Sequence, residues 1–409
     1  MKIGILTFHS QLNYGGVLQC WALQTALEKM GHEVVVIDRW LDPDNWHLER
    51  GYDRKQKKWW LRFWIHSLLG LGDMRFWLRA HRTKRFIREK LHLTTYHFYD
   101  WKNAPSNLGV DMIVVGSDQV WHCGDDFGDP RPYLLEGAPV VPAIAYAASF
   151  GFPKMPQKLG RSVGKDKELS AASIYQNGLS RFQAIGCREA EGVEICRILG
   201  FDATHVVDPT LLVNRAEWER LATCHIDKCV KTLPRRIACY FMGEKLNDVL
   251  PVLNDFAKGH NIRIDLLFSD GLPHDDIFPF PRTLRMLRSW ADRCIQRFHH
   301  VRVRLDAGPI DFIRLHAVAD AVVTDSFHSL MFLSIFGKNI RFLAPSSSRR
   351  RAMFGRIVGF AEHADGPLVA ATLGEALESL ADGVRSGIRP EYLETIRSDS
   401  MRFLREALP

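Results

Sequence analysis

Short apolar runs alternate along the chain with longer stretches in which apolar residues recur at helical spacing. Such runs are typical of strands buried in a parallel sheet, and the periodic stretches are typical of the helices that cover it. The predicted strands are 2–8, 33–38, 110–115, 140–148, 182–189 and 204–210 in the first half, and 236–242, 262–268, 300–305, 321–325 and 339–344 in the second. The pattern predicts an α/β protein with two Rossmann-like, doubly wound domains.

The alternation of strands and helices weakens once, in a mixed segment near the middle of the chain. We therefore predict an N-terminal Rossmann-like domain at 1–215, a C-terminal Rossmann-like domain at 216–385 and a final helix at 386–409. In open α/β sheets ligands bind outside the carboxyl ends of the strands, so a cleft between the two sets of strand ends is the expected ligand site.

The first strand leads into a polar segment that ends in Gly15 and Gly16, and apolar residues recur at helical spacing from Val17 to Met30. The two glycines would allow a ligand to approach the backbone closely, but a plain turn is the favoured interpretation of the pair. The segment lacks the Gly-x-Gly-x-x-Gly spacing, so we predict no dinucleotide site here.

Two further strand ends bear groups suited to chemistry. Asp118 follows the strand at 110–115, where it is either a functional carboxylate or a simple cap. The run 321–325 leads directly into a new apolar periodicity, so either Asp325 or Ser326 caps a helix and His328 lies in its first turn. The N-terminus of a helix attracts anions, and the histidine can share such a ligand, unless it simply points into solvent.

Composition narrows the class of protein. The 409 residues are 46% apolar and 25% charged, which is ordinary for a globular protein, and no apolar run is long enough to span a bilayer. The net charge of +7 favours anionic partners in general. The eight cysteines show no Cys-x-x-Cys pair, which argues against a zinc ribbon or redox dithiol and favours a reducing cytoplasm.

Residues 54–90 differ from the rest because tryptophan and phenylalanine alternate with arginine. We predict two helices separated at 70–72. An inserted helical hairpin that packs its aromatic residues on the N-terminal domain is the favoured interpretation. A basic, tryptophan-rich helix also suits a membrane interface. Nucleic-acid binding is the weaker alternative, because no recognised nucleic-acid-binding fold accompanies the charge.

Several segments together resemble the polysaccharide pyruvyl transferase family, and they follow the family's order over roughly residues 3–360. They are Gly4–His9 with Asn13–Gln19, Asp111–Trp121, Tyr146–Gly151, Cys187–Glu189, Val207–Thr210 and Thr324–His328. One departure is Ser329, where many members of the family have glycine. The alignment of Ser348 and of Arg349, Arg350 and Arg351 with the family's C-terminal arginine stays open.

The resemblance implies a GT-B-like fold and transfer of pyruvate from phosphoenolpyruvate (PEP) to a saccharide. The product would be a pyruvyl ketal on a cell-surface or exopolysaccharide precursor, made without a metal or other cofactor. Many such reactions use lipid-linked acceptors, so we expect a cytoplasmic protein, with peripheral contact at the inner face of the membrane through the aromatic-basic insert. No nucleic-acid partner is expected.

The resemblance and the chemistry of PEP together suggest roles for the candidate residues. An acid, a base and cationic anchors are needed. Arg188 suits a bidentate clamp on a carboxylate or phosphate, unless it is a surface ion-pair partner of Glu189 or Glu191. The predicted catalytic residues are His328, Asp118 and Arg188. The predicted PEP-binding residues are Arg188, Ser326, His328 and Ser329, and the predicted acceptor-binding residues are Asn13, Tyr14, Gly15, Gly16 and Ser117.

Two other classes of function remain open at this stage. A GT-B glycosyltransferase that uses a nucleotide sugar would share the fold, and it would release a nucleotide where a pyruvyl transferase releases phosphate. A non-catalytic protein that binds sugar phosphates or nucleic acid would fit the basic charge. Salt-dependent binding to DNA without PEP turnover would identify it.

Overall fold

The computed structural model describes residues 1–10, 12–39, 74–123, 129–156, 170–223, 236–242, 244, 246–268, 298–344 and 355–409. The aromatic-basic positions at 54–73 and the arginines at 349–351 lie outside these ranges. The predictions made for them therefore stay predictions.

A parallel sheet of seven described strands forms the first half of the molecule. The strands are β1 (Lys2–Leu6), β2 (Glu33–Arg39), β3 (Leu93–Phe98), β4 (Met112–Val115), β5 (Ala143–Ala148), β6 (Ile185–Cys187) and β7 (Thr204–His205). Their order is β3-β2-β1-β4-β5-β6-β7, which reverses direction between β1 and β4. Ligands bind at such a switch point in doubly wound sheets.

The second half repeats this topology with six described strands. They are β8 (Arg236–Phe241), β9 (Arg263–Phe268), β10 (Val301–Val303), β11 (Ala321–Thr324), β12 (Asn339–Leu343) and β13 (Val369–Ala370). The order β10-β9-β8-β11-β12-β13 places the switch point between β8 and β11. The predicted fold class, two Rossmann-like domains in a GT-B-like arrangement, is confirmed.

Helices connect the strands and cover both sheets. Those described are α1 (Tyr14–Lys29), α2 (Met74–Lys90), α3 (Ala171–Leu179), α4 (Ala190–Ile198), α5 (Arg215–Ala222), α6 (Leu246–His260), α7 (Pro309–Val318), α8 (Phe327–Phe336), α9 (Gly355–Ala361), α10 (Leu373–Ala381) and α11 (Pro390–Ala407). Short 3-10 helices lie at Trp101–Asn103, Arg131–Leu134 and Pro209–Leu212.

The structure corrects several predicted boundaries. Helix α1 begins at Tyr14 and not at Val17, because the Asn13 side chain accepts a hydrogen bond from the Gly15 N–H at 2.9 Å and caps the helix there. The strand predicted at 204–210 stops at His205, and Pro209 begins a 3-10 helix. Strand β3 was not predicted, because it is a half-exposed edge strand without a continuous apolar run.

Helix α1 packs directly against the C-terminal domain. Its first residue, Tyr14, is fully buried and stacks on Phe312 of α7 with ring centroids 4.8 Å apart. The Tyr14 hydroxyl donates a hydrogen bond to the Ala307 carbonyl at 2.8 Å. The two halves thus share one apolar core at the base of α1.

Helices α2 and α11 also link the two halves. On α2, Arg82 pairs with Asp306 at 2.8 Å and Asp311 at 3.0 Å, while Arg79 donates a hydrogen bond to the Leu12 carbonyl at 2.8 Å. On α11, the Ser400 hydroxyl accepts a hydrogen bond from the Val207 N–H at 2.9 Å. In the described ranges we find no helix that is both long and apolar enough to cross a membrane.

Candidate active site

His328 is the second residue of α8, as the sequence predicted. Ser326 is the N-cap, and its hydroxyl accepts a hydrogen bond from the Ser329 N–H at 3.5 Å. The helix starts directly after the buried strand β11, so the imidazole is held at the carboxyl edge of the C-terminal sheet. About one tenth of the side chain is exposed (11%), so His328 does not point freely into solvent.

The imidazole of His328 lies against the backbone of Gly15 in the first turn of α1. A Cβ atom at position 15 would come within 2.8 Å of His328 Nε2 and nearer still to the ring carbons. No side chain other than glycine's hydrogen fits in this space. The contact therefore brings the N-termini of α1 and α8, one from each domain, to the same point.

Asp208 connects His328 to the N-terminal domain. Its Oδ2 atom lies 3.8 Å from His328 Nδ1 and 3.2 Å from Arg188 Nη1. Its Oδ1 atom accepts hydrogen bonds from the backbone and hydroxyl of Thr210. Complete burial by itself raises the Asp208 pKa, but His328, Arg188 and the Thr210 hydrogen bonds together lower it below the usual value.

Arg188 follows β6 and lies almost fully buried among carboxylates. Besides Asp208, its guanidinium faces Asp118 at 3.5 Å and Glu189 at 4.0 Å. Burial lowers the Arg188 pKa, but the three carboxylates outweigh that effect and raise it, so the group stays charged. Arg188 does face Glu189, but the prediction of an ion pair at the surface is wrong, because both residues are buried, each with 4% of its surface exposed.

Asp118 lies at the switch point of the N-terminal sheet, three residues after the end of β4. Its Oδ1 atom accepts the Gln119 N–H at 2.8 Å, so the capping role and the ion pair with Arg188 coexist. Its backbone φ of +79° lies in a region that non-glycine residues rarely adopt and that is more frequent at functional sites. A Cβ atom on Gly16 would lie 3.4 Å from Asp118 Oδ2, so α1 reaches this carboxylate too.

A second histidine, on α7, is hydrogen-bonded to the first turn of α8. His316 of α7 is fully buried, with Nδ1 2.8 Å from the Phe312 carbonyl and Nε2 2.6 Å from the Ser329 hydroxyl. The carbonyl can only accept, so Nδ1 bears the proton and Nε2 accepts the hydroxyl. Burial lowers the His316 pKa to about 4, and the ring stays neutral. Ser329 thus has a polar partner of its own.

The predicted residues fall into two groups. His328, Arg188, Asp118, Gly15 and Gly16 converge on one region, with Asn13 and Ser326 as the caps of the two helices. Tyr14, Ser117 and Ser329 are fully buried (0%), and their hydroxyl groups bond to Ala307, Ala147 and His316. In this structure these three residues lie beneath the site, and they have no exposed surface that a ligand could contact.

Sequence reasoning did not single out Asp208, Glu189 and His316 as site residues. For Asp208 a signal was present, because an Asp-Pro pair directly after an apolar run marks a strand end. His316 lies within an apolar helix and gave no such signal. Among the described residues no cluster of three or more His, Cys, Asp or Glu side chains could hold a metal ion.

The arrangement places an acid–base group and a carboxylate in a region that favours an anionic ligand. An imidazole backed by a carboxylate can hold or release a proton, and Asp118 offers a second carboxylate a few ångströms from Arg188. The backbone N–H groups of two helix N-termini favour negative charge in the same region. The acidic side chains around Arg188 outnumber it, so an anionic ligand must be attracted chiefly by the helix ends and His328.

Two Rossmann-like domains with a polar cluster at both switch points define a GT-B-like two-domain protein. Within that class, the chain belongs to the polysaccharide pyruvyl transferase family, whose model matches residues 13–347. It is therefore a member of a transferase family. Among curated proteins no significant match is found.

Solved structures that resemble this one share little sequence with it. They include UDP-GlcNAc 2-epimerase from Neisseria meningitidis bound to UDP-GlcNAc, with 10% identity, coverage of 100% of this chain and 99% of that one, and a TM-score of 0.46. The S. aureus MnaA–UDP structure has 9% identity, coverage of 100% and 97%, and a TM-score of 0.47. Acinetobacter baumannii MurG has 10% identity, coverage of 98% and 94%, and a TM-score of 0.39.

Proposed function

We propose that this protein transfers pyruvate from PEP to a saccharide, forming a pyruvyl ketal on a cell-surface or exopolysaccharide precursor and releasing phosphate. The main structural support is the contact of His328 with Gly15, which sets an acid–base group between two helix N-termini. PEP carries a phosphate and a carboxylate, and each N-terminus favours one anionic group. Membership of the family supports the same reaction class.

The reaction requires proton transfers at carbon and at oxygen. A proton adds to the methylene carbon of PEP, which leaves an oxocarbenium-like centre at the adjacent carbon. One sugar hydroxyl attacks that centre and loses its proton. Phosphate then leaves, a second hydroxyl closes the ring and loses its proton, and the products are the ketal and inorganic phosphate. An acid must act at the start and a base at each attack.

We assign the acid role to His328 and the base role to Asp118. Asp208 Oδ2 lies 3.8 Å from Nδ1, while the Cδ2 and Nε2 atoms on the other side of the ring lie against the first turn of α1. Asp118 lies across Arg188 from Asp208, so one guanidinium orients both carboxylates. A direct clamp of Arg188 on PEP would require the guanidinium to exchange one of these partners.

The remaining contacts follow from position. Ser326 and the N–H groups at the start of α8 would bind the phosphate of PEP. Asn13, Gly15 and Gly16 would bind the acceptor on the α1 side, through the backbone of the first turn of that helix. No metal or other cofactor enters any of these steps.

We further propose that the acceptor is attached to a lipid and that α2 faces the membrane surface that holds it. Arg85 and Arg88 project from α2 with exposed side-chain fractions of 63% and 67%. Glu89 is the acid beside them on this helix, and it pairs with both. Exposed basic side chains are attracted to anionic lipid headgroups.

The first test is the substitution His328→Gln. If His328 is the acid, release of inorganic phosphate from PEP in the presence of acceptor should fall by about 10²–10⁴-fold in kcat. The matched control is His260→Gln, an exposed histidine at the end of α6. Wild-type turnover in His328→Gln at saturating PEP would remove the residue from the chemistry, and release of nucleotide from a nucleotide sugar would indicate the glycosyltransferase alternative.

A further inference from the structure

Arg39 is a buried cation at the ligand-binding edge of the N-terminal sheet. It is the last residue of β2, and only 6% of its surface is exposed. The carboxyl end of β2 lies beside that of β1, and the loop after β1 leads to the first turn of α1. Arg39 therefore belongs to the edge that bears the active site, although the proposed reaction does not use it.

Two nitrogen atoms of the Arg39 guanidinium are buried without a hydrogen-bond acceptor among the described residues. Within the described ranges, neither Nε nor Nη1 has an acceptor. The neighbouring carboxylate, Asp38, lies 3.0 Å from His9 Nε2. Arg188 also has no hydrogen-bond acceptor at Nε among the described residues, but its charge faces three carboxylates. Arg341 donates to Ser379, Asn339 and two carbonyls.

The aromatic ring of Tyr133 lies against the Arg39 guanidinium. The guanidinium carbon of Arg39 lies 4.7 Å from the centroid of the Tyr133 ring. Tyr133 meets Phe8 edge to face at 5.1 Å, and the Phe8 carbonyl lies 3.4 Å from where a Cβ of Gly16 would be. A short series of contacts thus leads from Arg39 to the helix start where we place the acceptor.

We propose that Arg39 is an anion-binding subsite for the acceptor, which takes a phosphate, diphosphate or carboxylate on the saccharide or its carrier. A buried charge is unfavourable unless an anion joins it, and the planar guanidinium suits these groups. The subsite lies in the N-terminal domain, apart from the groups on α8 assigned to PEP. The inference rests on the proposed function for the identity of the ligand as acceptor, but not for the binding of an anion.

The test measures binding without PEP, in a His328→Gln background so that the PEP groups contribute little. Isothermal titration compares glucose 1-phosphate, glucuronate and methyl glucoside as the phosphate, carboxylate and neutral probes. We expect at least one charged sugar to bind about tenfold or more tightly than the neutral one. Arg39→Gln should reduce that preference to within about twofold, and the two charged probes tell a phosphate from a carboxylate.

The matched control is Arg181→Gln. Arg181 is half-buried and contacts the segment that follows Tyr133. Unlike Arg39, it donates hydrogen bonds to the carbonyls of Leu135 at 3.2 Å and Pro139 at 3.3 Å. The preference for the charged sugar should survive in this variant. A preference that persists in Arg39→Gln, or that is absent when Arg39 is present, would overturn the proposal.

Thermal unfolding separates a binding role from a structural one. Without added anion, Arg39→Gln should melt at or above the temperature of the parent protein, because it removes a buried charge whose Nε and Nη1 have no acceptor among the described residues. Inorganic pyrophosphate should stabilise the parent more than Arg39→Gln, because the variant keeps only the phosphate site at the start of α8. A strongly destabilised Arg39→Gln that pyrophosphate stabilises as much as the parent would mean that the arginine is structural and would refute the subsite.

These outcomes stay distinct from a failure of the proposed function. If the wild-type protein releases no phosphate from PEP but shows the Arg39-dependent preference, the donor is wrong and the subsite stands. If PEP turnover is normal and the preference is absent, the subsite is wrong and the reaction stands.

Discussion

Single residues at the contact between the domains decide what the active site can accommodate. Gly15 has no side chain, and His328 fills the space that a side chain would take. A Cβ atom at Gly16, one position on, would meet Asp118 Oδ2 and the Phe8 carbonyl at ordinary van der Waals distance. Two adjacent glycines in one helix turn therefore have different tolerances, which gives a matched pair for mutation.

Gly15→Ala should displace the His328 ring and reduce kcat/KM for PEP-dependent phosphate release by about 10²-fold, because small misplacements of a catalytic group are costly. Gly16→Ala should keep activity within a few-fold of wild type. Steady-state kinetics on both variants provide the measurement. Equal activities would show that the close contact with His328 has no catalytic consequence.

His316 and Ser329 set the position of α8 through one buried hydrogen bond. Burial lowers the His316 pKa to about 4, while the unfolded chain has an ordinary value of about 6.5. Between these values the unfolded state binds the additional proton. The contribution of His316 to stability is therefore complete above about pH 6.5 and is lost as the pH falls toward 4.

The expected loss from this one group is about 2 kcal/mol in the free energy of unfolding between about pH 7 and pH 5. Denaturant titrations of wild type and His316→Gln at the two pH values measure it as a difference in pH dependence. His260→Gln, at an exposed site, should retain the full pH dependence. The same pH dependence in His316→Gln and wild type would show that His316 can take up a proton without unfolding.

At the scale of elements, α2 is an interdomain brace as well as a basic surface helix. The buried Arg79 donates to the Leu12 carbonyl, and its guanidinium carbon lies 4.5 Å from the centroid of the Tyr14 ring. Arg82 reaches Asp306 and Asp311 in the other domain, and a Cβ on Gly308 would lie 2.6 Å from Arg82 Cβ. Deleting the helix would therefore disturb the site itself.

Arg79→Met should lower the free energy of unfolding by about 1–3 kcal/mol, because the Leu12 carbonyl loses its buried donor. It should also raise the KM for the acceptor, since Leu12 precedes the cap of α1. Arg85→Gln, on the exposed face of the same helix, should cost less than about 0.5 kcal/mol. Thermal and chemical unfolding with acceptor kinetics measure both effects, and a stable Arg79→Met with an unchanged acceptor KM would contradict the brace.

At the scale of the whole molecule, the distribution of charge bears on where the protein works. The net charge is +7, and part of the excess lies on the exposed face of α2. The opposite face of that helix is occupied by contacts between the domains. A membrane-facing role must therefore be tested by changing exposed side chains and not by removing the segment.

Arg85→Gln with Arg88→Gln should weaken binding to vesicles containing phosphatidylglycerol by about thirtyfold, at about 1 kcal/mol for each charge near the surface. The pair Arg402→Gln with Arg405→Gln removes the same charge from the exposed face of α11 and should have little effect. Co-sedimentation at low salt measures both. Equal binding by the two double variants would argue against α2 as the membrane-facing surface.

Local signals in the sequence were enough to place His328 and Asp118 at the ends of strands. Each follows a buried apolar run, and a cap residue precedes the helix of His328. Burial was not predictable in the same way. Tyr14 and Ser117 lie in polar-looking loops by sequence, yet both are fully covered, because residues hundreds of positions away or on a neighbouring strand pack over them.

Asp208 shows most clearly where prediction from sequence stopped. Its place at a strand end was readable, but its role depends on Arg188 in the same domain and on His328, far along the chain in the other. Such a pairing is a property of domain docking. Likewise, Arg39 looks by sequence like any basic residue at the end of a strand, and only the structure shows that its Nε and Nη1 have no acceptor among the described residues.

The sequence by itself determined the two parallel sheets, the helix that begins beside His328 and the family, because buried strands, helix caps and short motifs are local patterns. The tertiary structure decided which of the polar residues meet. It joined Gly15 to His328 and gathered Arg188, Asp118 and Asp208 into one buried cluster. The physical reason is that contact and desolvation between distant segments depend on how the two domains pack, which no local pattern encodes.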